Sequence, residues 1–131
     1  MNFKTPSGEP FEIPDEWWNC AEMDGFSRGV RTAFVHDPTL SYKPTMELAI
    51  AEIKPPTRNP GVALFEKSRM ISILRAFRTS AQLPAVEVRE LDTRGGGRYR
   101  YSVYHGCHRF YASIAVGYVH LPITILPTDA Y

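Results

Sequence analysis

The chain has 131 residues, 44% apolar and 22% charged, with a net charge of +1. That length fits one domain, and the composition excludes a disordered or collagen-like chain. No apolar run approaches the roughly 20 residues of a spanning helix, residues 1–10 lack a secretion signal's basic start and apolar core, and two cysteines (Cys20, Cys107) are too few for a disulfide framework, so a cytoplasmic protein with no membrane contact is expected.

The charge is unevenly spread. Residues 1–53 carry four basic and nine acidic side chains, residues 54–109 eleven basic and four acidic. A basic middle suits an anionic ligand. Pairing with the acidic first part explains it equally well.

Residues 1–45 read as an irregular arm, broken by five prolines and three glycines. One short helix is predicted in it, capped by Asp15 and stopped by Gly25. Trp17 and Trp18 are costly to leave wet, so the arm is expected to pack on the domain formed by residues 46–131. Leu48, Ile50 and Ile53 read as one short strand before Pro55 and Pro56. Residues 57–61 read as a loop. Val62, Phe65, Met70, Ile73, Leu74 and Phe77 predict a helix over 62–78. Residues 84–91 read as a strand, 92–97 as a glycine-rich turn and 98–104 as the hairpin partner. A helix is predicted over 107–116, stopped by Gly117. The strand at 119–125 contains Pro122, which predicts an edge position. The order arm, β, α, β, β, α, β defines an α+β fold: a small mixed sheet with two main helices.

The informative stretch is Tyr101–Gly117. A strand enters a tight turn at Gly106 and leaves directly as a helix. No Ser, Thr, Asp or Asn stands at the cap, so the first N–H groups are left for a ligand. Gly106 lets an anion approach the backbone, Arg109 offers a forked cation, and His108 offers a further donor. This describes a phosphate site. His105 reads as a turn or packing residue rather than a base. His105, Cys107 and His108 lack a fourth ligand nearby, so no metal site is expected.

Gly106-Cys107-His108-Arg109, followed by an aromatic residue and Ala112, resembles the signature of sulfiredoxin. Residues 46–126 also resemble the fold that sulfiredoxin shares with the N-terminal domain of the chromosome-partitioning protein ParB. The stretch 50–56, the helix carrying Arg69 and Ser72, and residues 83–88 match in order. The resemblance implies binding of a nucleoside triphosphate such as ATP, with Mg2+ carried on the phosphates. Gly106, Cys107, His108, Arg109, Arg69, Ser72 and Lys54 would form the phosphate site. Phosphotransfer or hydrolysis would follow. Cys107 matches the nucleophile with which sulfiredoxin reduces a sulfinylated cysteine of a protein partner. A helix start favours a thiolate; a small buried apolar residue is the rival reading of Cys107. Ala76 stands where sulfiredoxin has a second hydroxyl on the helix of Arg69 and Ser72, a threonine, and His105 where it has glycine. ParB's arginine-rich box and DNA-binding helical region are absent from this sequence.

Two further readings remain. Arg94, Arg98 and Arg100 interleave with tyrosines on the predicted hairpin, which suits nucleic acid or a nuclease; an exposed charged face explains them as well. The lost hydroxyl and the tryptophan arm also fit a non-enzymatic interaction protein.

Overall fold

The structure is a computed structural model that describes residues 1–37, 39, 44–56 and 61–127. Strands β1 (Asn2–Lys4) and β2 (Pro10–Glu12) pair antiparallel. Helix α1 (Asp15–Cys20) follows. The domain then runs β3 (Met46–Ala49), a 3-10 turn (Ile50–Glu52), β4 (Ile53–Lys54), α2 (Lys67–Arg78), β5 (Val86–Glu90), β6 (Tyr101–His105), α3 (Cys107–Ala115) and β7 (His120–Leu126). The result is a mixed α+β fold, with α2 and α3 as its two longer helices.

The five-stranded sheet has the order β3-β7-β5-β6-β4. Its two edge strands are neighbours in sequence, joined only by Ile50–Glu52. Four residue steps reach at most about 14 Å. The edges of a flat five-stranded sheet would stand about 19 Å apart. The sheet must therefore curl, and its curl brings the ends within reach of one short turn. The predicted single strand over residues 48–53 is split for this reason.

Strand β7 is not at an edge; it lies between β3 and β5. Pro122 stands opposite Glu47 on β3. Leu121–Thr124 are four buried residues in succession, the pattern of a strand covered on both faces. By the alternation of the ladder, position 122 turns its backbone toward the start of β5, where the carbonyl of Pro84 is bonded instead to the Arg109 guanidinium. A missing N–H is tolerated there.

Helix α2 begins five residues later than its apolar spacing predicts. Val62 is 67% exposed. Phe65 is buried against Phe11 and Tyr111, with ring centroids 6.2 and 5.2 Å apart. Drawing Phe65 into that cluster keeps the chain extended through Glu66 (φ −91, ψ 128). Met70, Leu74 and Phe77 then form the buried stripe. The predicted loop at 57–61 lies, except for Gly61, outside the described residues.

Residues 1–37 are more ordered than the predicted irregular arm. Asp15 does not cap α1; its carboxylate accepts a hydrogen bond from the N-terminal ammonium at 2.6 Å, and Pro14 is the cap. Phe11, Ile13, Ala21, Met23 and Phe34 are buried in the same cluster as Leu74, Val86 and Tyr111, and Trp17 and Trp18 pack against it. No helix among the described residues is long and apolar enough to cross a membrane.

Candidate functional site

Strand β6 delivers the chain to Gly106, whose φ of 122° lies where side-chain-bearing residues are strained. A Cβ there would stand 3.0 Å from Val86 Cγ1 and 3.1 Å from Arg109 Nη2. The turn thus needs glycine for both conformation and space. Helix α3 starts at Cys107 with no side-chain cap and no acidic residue in its first turn. Helix α2 shares both features: Glu66 stands at its cap without capping it, and Lys67 and Arg69 occupy its first turn.

Both helix starts open on one cavity of about 600 Å³. Ser68, Arg69 and Ser72 line it from α2, and Gly106, Cys107, His108 and Arg109 from α3. Two positive helix ends and two guanidinium groups, with no carboxylate among the described lining residues, make a wall suited to an anion. Pro56, Ile73, Val103 and Tyr104 give the cavity an apolar side. A volume of this size admits a nucleotide.

The individual side chains are held as follows. Arg69 Nε lies 3.2 Å from Glu66 Oε2, and both side chains are exposed. Such a pair is weak, so the guanidinium is available to a stronger anion. His108 differs from its expected role as a donor: its Nε2 accepts the Glu66 backbone N–H at 2.8 Å. The proton of the neutral ring therefore sits on Nδ1. Burial, helped by the charge of Arg69, pushes this imidazole below its ordinary value. Arg109 is only 8% exposed, and its Nη1 donates to the carbonyls of Pro84 and Ala85 at 2.5 and 3.1 Å. Its remaining edge reaches over Gly106. Burial lowers its basicity, opposed by the charge of Glu87. The Cys107 side chain is half-buried at the first helical position.

Lys54 is not brought to this cavity. It is exposed on edge strand β4, and Pro56, two residues on, lines the wall instead. Ser68 escaped the sequence reading, although its spacing of four from Ser72 puts both hydroxyls on one helix face. Arg94, Arg98 and Arg100 do not alternate along a strand, because β6 begins only at Tyr101. Arg94 is paired with Asp92 at 2.9 Å, and Arg100 lies 3.8 Å from Glu52. Among the described residues no group of three or more His, Cys, Asp or Glu side chains could hold a metal ion.

The curled mixed sheet, with its strand–glycine–helix junction, is the ParB/sulfiredoxin-like fold. Sulfiredoxin from Arabidopsis thaliana has a TM-score of 0.50 with this chain at 20% identity, over 64% of this chain and 85% of that one. The C-terminally truncated chromosome-partitioning protein ParB from Caulobacter crescentus, complexed with CTP-gamma-S, has a TM-score of 0.51 at 18% identity, over 66% of this chain and 46% of that one. This chain thus matches most of the sulfiredoxin structure and under half of the ParB structure. No protein-family model and no curated protein matches the sequence. At such identities the likeness is one of fold.

Proposed function

We propose that the protein binds the phosphates of a nucleoside triphosphate, ATP or CTP, in the cavity between the starts of α2 and α3, and turns it over by phosphoryl transfer or hydrolysis. The observation that carries this reading is the meeting of two helix starts, neither capped by a side chain nor faced by its own acidic first turn. The backbone N–H groups at 106–109, Arg69 and the hydroxyls of Ser68 and Ser72 would hold phosphate oxygens. A ParB of the same fold was solved with CTP-gamma-S, which supports a nucleotide as the ligand. With no carboxylate among the described lining residues, magnesium would be held by phosphate oxygens and water.

Arg69 is the better test than Arg109, because Arg109 already satisfies two backbone carbonyls. Calorimetry of MgATP and MgCTP should show Arg69→Ala binding roughly tenfold to a hundredfold more weakly than wild type, the range for a lost charge-assisted hydrogen bond. Its melting temperature should not change. Arg109→Ala should instead melt earlier, by roughly 2–4 kcal/mol of stability, from the two carbonyls left without a donor. Equal binding by wild type and Arg69→Ala would remove Arg69 from the site.

A second reading concerns Cys107. Its place on the cavity wall at the first position of α3 fits a sulfiredoxin-like reductase acting on a sulfinylated protein partner. Cys107→Ser should then abolish ATP-dependent repair of a sulfinylated peroxiredoxin and leave MgATP binding intact. Wild-type protein inactive on such substrates would end this reading.

A further inference from the structure

Just before Gly106, a lining residue of the cavity and a carboxylate behind it form a pair that phosphate binding does not use. Glu87 on β5 and His105 on β6 are cross-strand partners, and the register shifts immediately after Glu87. Bulges of this kind re-aim side chains beside functional sites. Glu87 Oε1 lies 3.5 Å from His105 Nδ1. The His105 side chain is 67% exposed, so packing does not explain it, and it lines the cavity. A carboxylate facing Nδ1 favours the neutral tautomer with its proton on that nitrogen, which leaves the Nε2 lone pair to accept a proton. His108 is not equivalent, since its Nε2 is already bonded to Glu66. The other charged or titratable groups around this wall are Arg89 of β5, stacked on Tyr104 of β6, Cys107, His108 and Arg109 of α3, and Arg69 of α2.

Resting on the nucleotide reading above, we propose that His105, oriented by Glu87, is the general base that activates water against the terminal phosphate of the bound nucleotide. The water oxygen forms a bond to the γ-phosphorus as the bond from that phosphorus to the β,γ-bridging oxygen breaks. The diphosphate leaves with the electron pair. The water proton passes to His105 Nε2 and then to solvent, and the products are a nucleoside diphosphate and phosphate. The separation of 3.5 Å is long for a hydrogen bond, as such contacts commonly are before substrate closes a site.

The test measures MgATP and MgCTP binding by calorimetry, and phosphate release against pH, on wild type, His105→Gln, Glu87→Gln and Glu87→Asp. His105→Gln should bind within about twofold of wild type, release phosphate roughly 100-fold more slowly and lose the acid limb of the pH profile. Glu87→Gln should lower kcat without raising KM, and Glu87→Asp should recover part of the loss. Binding without phosphate release, or His105→Gln with the wild-type rate and pH profile, overturns the assignment of the base and leaves the binding site standing. No nucleotide binding by wild type overturns the nucleotide reading, and the role of His105 falls with it.

Discussion

His108 ties two elements through one ring nitrogen. The bond from the Glu66 N–H to Nε2 fixes the start of α2 to the start of α3. It exists only while the ring is neutral. Burial and Arg69 keep the folded ring from taking up its proton until the pH is below the ordinary value of 6.5. The unfolded chain therefore binds the proton first as the pH falls. Stability contributed by this residue is present above about pH 6.5 and lost below it. The melting temperature of wild type should fall more steeply between pH 7 and pH 5.5 than that of His108→Gln, whose side-chain oxygen can still accept the Glu66 N–H. Parallel curves would dismiss His108 as the cause.

At the scale of elements, the junction of β6 and α3 decides the site. Gly106 was legible in the sequence as a glycine between a strand and a helix. Its dependence on Val86 was not, because β5 reaches it only through sheet pairing. Gly106→Ala should cost about 1–3 kcal/mol in urea unfolding, from its positive φ and the contact with Val86. A loss below about 0.5 kcal/mol, usual for an exposed position, would mean that the junction relaxes freely. The later start of α2 has the same origin. Apolar spacing alone carries the helix back to Val62, but the aromatic cluster claims Phe65 and holds the chain extended before it.

For the whole molecule, the first 37 residues contribute side chains to the core. Phe11 is buried, and its ring centroid lies 4.9 Å from that of Tyr111 on α3. Phe11→Ala should destabilise the protein by roughly 3–5 kcal/mol, as other buried phenylalanine truncations do. Fluorescence of Trp17 and Trp18, set against far-ultraviolet dichroism of the sheet and helices, tests whether the two regions unfold together. A tryptophan transition well before the dichroism transition would show that they do not. The curl acts at the same scale, since without it β3 and β4 could not sit at opposite edges of one sheet three residues apart.

Local pattern was enough for the helix at 107–115, the glycine turn at 106 and the two strands of the hairpin, because each depends on near neighbours in the chain. The family resemblance paired Arg69 and Ser72 with residues 106–109. What the tertiary structure decided depends on distant contacts. Pro122 is tolerated in the middle of the sheet because Arg109 takes the carbonyl that a backbone N–H would have bonded. Lys54 stands away from the cavity because the chain switches edges at residues 50–52. His105 and Glu87, 18 positions apart in the chain, become a pair only through the register of the hairpin. Sequence spacing fixes which side chains share an element; the curl and pairing of the sheet fix which elements share a cavity.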